Sequence, residues 1–526
     1  MRDPSPPAAI EIPERFNLAD WLLDERLREG RGGEVALRLA DRDLTYDAVA
    51  ALSRRYANVL AGLGLRAEER VFLMLPDGPD FVGALFGALR AGGVVVMLNP
   101  ELHADAIAAL VDYLRPRFSV IDGRLAHTWA EALGMSQERT QLLTVGDRAP
   151  GCPAFEELSR TVADDFPTVR THRDDPAVML FSGGTTGRPK AVVQSHRSYA
   201  FTTQAYGQRI LGLTASDTTL SVPKLFFGYA LGSNLFFPFS VGASACLFPE
   251  KATAESVFAA IARHRPSVLV TVPTMIQQMV SHPGAGAQNL ACLRLATSAG
   301  EALAVTLRER WDETFGVELL DGLGTAEQWH IFISHRPGRV RPGTLGEAVP
   351  GFEVRVKDDA GQDLADGEIG PLWVRGGARA WGYFRELDKT QDTFRGEWVV
   401  PGDLVSRDAD GFFTYQGRGD DVFKVAGRWF SPAEVEGTLL RHPQVAECAV
   451  VGIVDGNGLL KPHAWVIPRR AAPGLAQELS DFVARELLPF KAPRIVHLVE
   501  ELPRTHLGKI DRGALKRPPS TEGANR

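Results

Sequence analysis

AVMLFSGGTTGRPKAVVQSH, residues 177–196, is the stretch from which the rest of the chain can be read. An apolar run stops at Ser182, and Gly183, Gly184, Thr185, Thr186 and Gly187 follow, all small or hydroxylic, ahead of basic Arg188. After Pro189 and Lys190 a second apolar run begins at Ala191. This pattern predicts strand, loop, strand, because glycines reach backbone angles closed to other residues. Such a loop can turn several N–H groups inward, with hydroxyls from Ser182, Thr185 and Thr186 and charge from Arg188 and Lys190. Those groups suit a polyphosphate. The string is not a Walker loop, which needs four residues between Gly and Gly-Lys and then Ser or Thr opening a helix. A bare GGTTG is more often a plain hairpin turn, so the reading needs support from the rest of the chain.

At 526 residues the chain exceeds a single core and predicts a large multi-lobed domain with a smaller one. A hydrophobic content of 44% and a charged content of 23% are those of a globular protein. The net charge of −7 argues against a nucleic-acid binder that relies on a basic field. Cys152, Cys246, Cys292 and Cys448 are scattered, with neither a zinc pattern nor a disulfide framework, so reduced cysteines in a cytoplasmic protein are expected. The N-terminus lacks an apolar export core. Residues 225–249 carry no charge and are long enough to span a bilayer. Glycines, Asn234 and Pro238 interrupt them, which favours buried helix and strand over a span.

Alternating strand and helix patterns from residue 35 to residue 324 predict a mostly parallel α/β sheet covered on both faces. Thr45 is placed to cap a helix ending near Leu60, with Gly62 just past it, and Ser195 or His196 to open another. After about Pro342 the pattern alternates with frequent Gly turns, which predicts antiparallel sheet or a small barrel. The charged turn at 417–421 is the best domain boundary. Beyond it Ser431 and Glu434 form a candidate capping box, with Pro432 at the first helical position. The fold class expected is α/β: a large N-terminal domain of αβ sheets plus a small barrel (1–419), then a smaller α+β domain (420–526).

Five further strings stand in a fixed order around the Gly-rich loop: SAGEAL (298–303), DGLGTAE (321–327), VPGD (400–403), GRGDDVFKVAGRWFSPAEVE (417–436) and LPRTHLGKIDR (502–512). Each alone reads as an ordinary turn or a solvated charge. Together with the loop they resemble the adenylate-forming superfamily of acyl- and aryl-CoA ligases, adenylation domains and luciferases, over nearly the whole chain. The resemblance implies that Ser182, Gly183, Gly184, Thr185, Thr186, Gly187 and Lys190 hold the phosphates of ATP. It implies that Gly300, Glu301 and Ala302 line the adenine, that Asp321, Gly322 and Thr325 contact AMP, and that Asp403 and Arg418 bond the ribose. Glu327 is implied as the Mg2+ ligand and, with Thr186 and Lys509, as catalytic. Asp420 is implied as the hinge of a mobile small domain, which exposes Lys424 and Gly427 to coenzyme A in a second half-reaction. The family usually has Thr just before this Glu, whereas this chain has Ala326. Thr325 is the candidate substitute, and a lost hydroxyl contact costs about 0.5–1.5 kcal/mol.

PKLFFGYALGSNLFFPFSVG (223–242) and AEQWHIF (326–332) narrow the resemblance to benzoate-type aryl-CoA ligases. It implies an aromatic pocket of Phe227, Gly228, Tyr229, Ala299, Gly324, His330 and Ile331, in which Tyr229 bonds the acid's carboxylate and Gly228 leaves room beside the ring. No Asp or Glu lies between Lys224 and Ser240, which disfavours an α-amino acid, whose ammonium needs a partner. Benzoate, 2-aminobenzoate and hydroxybenzoates are the expected acids. Partners are then an aromatic carboxylic acid and coenzyme A, with no nucleic acid and no membrane; homodimerisation stays open. Rival readings are an aryl-acid adenylating enzyme that loads a carrier-protein phosphopantetheine and a non-catalytic nucleotide-binding relative. A fatty-acid ligase is disfavoured by the aromatic string.

Lys509→Ala is expected to slow adenylation by about a hundredfold or more, as for other charges that act in the transition state. Thioester formation from supplied aryl adenylate should largely survive; equal loss in both half-reactions would remove Lys509 from the first.

Overall fold

Short strands that are apolar on both faces require covering layers, and the chain supplies them in alternation. The structure, a computed structural model, describes residues 9–182, 189–358, 360–419, 423–425, 428–455, 460–470, 472–504 and 510–516. Its first sheet has seven strands in the order Gly382–Tyr383, Lys190–Ser195, Pro176–Ser182, Val94–Met97, Arg70–Met74, Phe118–Asp122, Gln141–Val145. From Pro176–Ser182 onward the neighbours are parallel. On the other side Lys190–Ser195 folds back antiparallel, with Ser182 opposite Lys190, and Gly382–Tyr383 adds an antiparallel edge. Val94–Met97 and Phe118–Asp122 are buried along their whole length, as a doubly covered sheet demands.

A second sheet has nine strands, in which Ser244–Cys246, Thr218–Ser221, Val268–Thr271, Leu295–Ser298 and Leu319–Gly324 are parallel neighbours. Ile331–Ser334 returns antiparallel against Leu319–Gly324. Beyond residue 342 the expected antiparallel pairing is a six-stranded sheet centred on Ile369–Arg375. The small module contributes a three-stranded sheet of Val445–Val454, Leu460–Pro468 and Ile495–Leu498 with helices Pro432–Leu439 and Leu475–Glu486. Its two apolar clusters contain only residues from Phe423 onward, while the other four end at Tyr415.

Local expectations hold with small revisions. Thr45 Oγ1 accepts the Ala48 N–H at 3.2 Å and starts helix Tyr46–Gly62, so Gly62 is the last helical residue and not the one past the end. Ser195 Oγ accepts from Ser198 N and starts helix His196–Thr202. Residues 225–249 form short buried helical turns and strand Ser244–Cys246; among the described residues no helix is long and apolar enough to cross a membrane. The capping box at Ser431 is half made. Ser431 accepts from Glu434 N, but the Glu434 carboxylate turns to Lys491 Nζ at 2.6 Å, a charged partner that outcompetes a backbone N–H.

Candidate active site

The parallel strands of both large sheets end toward one cavity of about 900 Å³, the position where open α/β sheets place ligands. Leu180 and Phe181 line it from the strand before the Gly-rich loop, Phe226 to Tyr229 from the aromatic string, and Ala299 and Gly300 from the end of Leu295–Ser298. Gly324, Thr325, Ala326, Trp329, His330 and Ile331 close it from the turn between Leu319–Gly324 and Ile331–Ser334. Leu102, Ala109 and Tyr113 widen it on the side of helix Ala104–Leu114. All seven residues expected around an aromatic ring therefore share one wall system.

Within that wall His330 Nε2 donates to the Tyr229 carbonyl at 3.0 Å and lies 3.1 Å from Ser233 Oγ, while Nδ1 is buried without a partner. Burial holds the imidazole neutral, its pKa pushed down to about 3. The Tyr229 hydroxyl lies 2.6 Å from Thr297 Oγ1, so the phenol expected to meet a carboxylate is already oriented by a second hydroxyl. Trp329 carries a left-handed φ of 56° on a bulky side chain, a strain of the kind that gathers at functional sites. The room expected beside Gly228 is filled: a Cβ there would lie 2.8 Å from Leu180 Cδ1.

A charged cluster adjoins the cavity through Ala326 and Pro189. Glu327 is 4% exposed and accepts the Tyr383 hydroxyl at 2.7 Å through Oε1. Lys190 Nζ sits 4.4 Å above the Tyr383 ring, with its pKa lowered by desolvation and supported by the charge of Glu327. Asp403 is buried beneath Arg418, whose Nη1 is 3.4 Å from Oδ2. Desolvation raises the Asp403 pKa, Arg418 pulls it back, and Glu327 adds to the rise. Gln194 Nε2 fixes the turn by donating to the Ala326 carbonyl at 2.5 Å. Two carboxylates and two cations thus face one another at the cavity's edge.

The strand Leu319–Gly324 divides the expected nucleotide contacts. Thr325 lines the cavity, and its Oγ1 is buried without a partner in the protein. Asp321 and Gly322 lie deeper on the strand and off the lining. Gly322 and Gly324 are explained by close pairing, since Cβ atoms would meet the Ile333 and His330 carbonyl oxygens at 2.8 and 2.4 Å. Gly300 lines the cavity with φ 88°, while Glu301 and Ala302 stand beside it off the lining. The expectations for Gly183, Gly184, Thr185, Thr186, Gly187, Asp420, Gly427 and Lys509, and for the Lys424 side chain, lie outside the described residues. Tyr383, Gln194, Leu180 and Trp329 went unread in the sequence. Tyr383 belongs to a two-residue strand, too short for any periodicity, and only its pairing with Val192 brings it to Glu327.

Among the described residues no group of three or more His, Cys, Asp or Glu could hold a metal ion by itself. A lone buried carboxylate such as Glu327 still fits Mg2+, which takes one or two carboxylates and fills its shell with phosphate oxygens and water.

The sequence profile of the family described as AMP-binding enzyme matches residues 23–384, and that of the AMP-binding enzyme C-terminal domain matches residues 434–509. A 4-hydroxybenzoate–CoA/benzoate–CoA ligase of Rhodopseudomonas palustris is 38% identical, covering 95% of this chain and 94% of the relative. A benzoate–CoA ligase of Thauera aromatica is 37% identical over 97% of both. Among solved structures, the anthranilate CoA ligase AuaEII in complex with anthranoyl-AMP superposes with a TM-score of 0.91 at 35% identity, covering 96% of this chain and 97% of that one.

Burial lifts the Asp321 carboxyl to about 7, with Oδ1 unpartnered. Its folded pKa thus exceeds the unfolded value near 3.9, the folded chain holds the proton longer, and stability falls as pH rises from about 4 to about 7. Asp321→Asn removes that titration, so its gain in thermal midpoint over the wild type is expected to be larger at pH 8 than at pH 5. Equal gains at both pH values would contradict the raised pKa.

Proposed function

Since the chain belongs to the AMP-binding enzyme family, we infer that it is an AMP-forming aryl-CoA ligase acting on a benzoate-type acid. One observation carries the reading: a largely apolar cavity with an aromatic wall opens directly onto a cluster of two carboxylates and two cations. A flat ring fits the slot. The aromatic string from Lys224 to Ser240 offers an α-ammonium no acid; the acids that line the cavity, Asp112 and Glu386, come from other segments. The ligases named for benzoate and 4-hydroxybenzoate and the structure holding anthranoyl-AMP support this substrate class.

In the first half-reaction a carboxylate oxygen of the acid attacks the α-phosphorus of ATP in line, and the bond to pyrophosphate breaks. Lys190 and Lys509 offset the charge that develops, as preorganised cations do in a water-poor site. Asp403 and Arg418 orient the ribose, Thr325 reaches a phosphate oxygen, and Tyr229, positioned by Thr297, orients the acid. Glu327 would hold Mg2+, which when bound neutralises charge on the phosphates. Tyr383 keeps that carboxylate in place. In the second half-reaction the thiol sulfur of coenzyme A attacks the carbonyl carbon, loses its proton, and AMP leaves.

The proposal extends to a division at residues 419 and 420, supported by separate apolar clusters on either side, with Asp420 as the hinge. The four free cysteines support a reducing, cytoplasmic setting.

A screen of AMP release across benzoate, aminobenzoates, hydroxybenzoates and cinnamates, with and without coenzyme A, tests the reading. Turnover of a benzoate-type acid that accelerates with free coenzyme A is expected. Release that responds only to a carrier-bound phosphopantetheine, or to no aromatic acid, would overturn it.

A further inference from the structure

Gly228 is not required by its backbone, since its φ lies outside the left-handed region. What bears on it is a neighbouring side chain. An added Cβ would fall 2.8 Å from Leu180 Cδ1 and 3.5 Å from Cδ2, with Trp329 Nε1 at 3.7 Å. The volume vacated by the missing side chain therefore belongs to Leu180 and is closed to a ring substituent. Leu180 itself lines the cavity, is 6% exposed, and stands two residues before Ser182 on strand Pro176–Ser182.

The two side chains flanking Gly228 differ in what they can yield. Trp329 is 2% exposed, and its ring is wedged among Tyr199, Phe236 and Phe237, which leaves it little room to move. Leu180 meets Gly228 with the free end of its side chain, on a strand fixed by its pairing with Val192. The strand sets where the isobutyl group starts, and the absence of a Cβ opposite sets where it can rest.

Resting on the aryl-ligase reading, we infer that Leu180 is a specificity-determining residue: its side chain, seated in the space left by Gly228, sets how wide a ring the slot accepts. One carbon in an apolar pocket changes discrimination by about 10–200-fold. Leu180→Val removes one carbon from this wall and Gly228→Ala adds one, so the two substitutions act with opposite sign on one volume.

The test is a four-protein cycle in the full-length chain: wild type, Leu180→Val, Gly228→Ala and the double variant. Each is measured as kcat/KM for benzoate and for benzoates with progressively wider ring substituents, with the KM for ATP as the second readout. Leu180→Val is expected to shift preference toward wider rings by about tenfold or more. Gly228→Ala is expected to lose about tenfold or more on every ring, and the double variant to recover most of that loss, because contacting residues couple. The KM for ATP should stay within about twofold throughout, as an effect confined to the ring slot requires. Unchanged ring preference in Leu180→Val, or an additive double variant, would overturn the assignment. If Gly228→Ala does not fold, Leu180→Val and the volume-matched double variant still decide it. Absence of turnover of any benzoate by the wild type would defeat the aryl-ligase reading itself. Wild-type turnover with an additive cycle would defeat only the role of Leu180.

Discussion

The antiparallel return of Lys190–Ser195 against Pro176–Ser182 is the constraint on which the site depends. Its register puts Ser182 opposite Lys190 and so fixes both ends of the Gly-rich loop. The same hairpin carries Leu180 into the ring slot, presents Gln194 to the Ala326 carbonyl and offers Val192 to the edge strand bearing Tyr383. Tyr383 in turn holds Glu327 and lies under Lys190. A one-residue slip of this pairing would turn each of these side chains to the opposite face. Such a slip is costly, because Val94–Met97 pairs with one side of the hairpin and Gly382–Tyr383 with the other, and both registers would be lost.

From that constraint the division of labour follows. The wall made by Phe226 to Tyr229 and Trp329 to Ile331 is uncharged, with His330 kept neutral by burial and spent on the Tyr229 carbonyl. The charges collect one residue away, at Lys190 next to Pro189 and at Glu327 next to Ala326. Adjacent residues on a strand or a tight turn point to different sides, so one segment serves an apolar ring and a polyanion at once. Glu327 and Asp403 are buried while Lys190 and Arg418 stay partly exposed beside them, and a buried carboxylate is costly unless such a cation or hydrogen bond holds it. That pre-organisation suits a reaction whose barrier is dominated by charge at phosphorus.

Much of this was legible in the sequence, for reasons that differ by element. The parallel strands read clearly because their apolar runs are bounded by glycines and helices, and the cavity wall read clearly because the aromatic string resembles one known family. Three readings changed where tertiary contacts decide. The resemblance implied open space at Gly228, but Leu180, nearly fifty positions earlier, takes it. Gly322 was expected against AMP, yet it lies off the cavity lining with a neighbouring strand pressed on it, whereas Gly324, pressed likewise, does line the cavity. Glu434 had the spacing for a capping box until Lys491 offered a stronger partner. Tyr383 left no local signal at all, since its role exists only through a pairing 191 residues away in chain position with Val192.

The central claim is that a single cavity seats an aromatic acid and a nucleotide side by side. A crystal structure of the full-length protein with a non-hydrolysable aryl-adenylate analogue tests it most directly. The account predicts the ring between Leu180, Tyr229 and His330, with the ribose on Asp403 and the phosphate mimic toward Lys190 and Thr325. A ring bound outside that cavity, or an adenosine out of reach of Asp403 and Arg418, would contradict it.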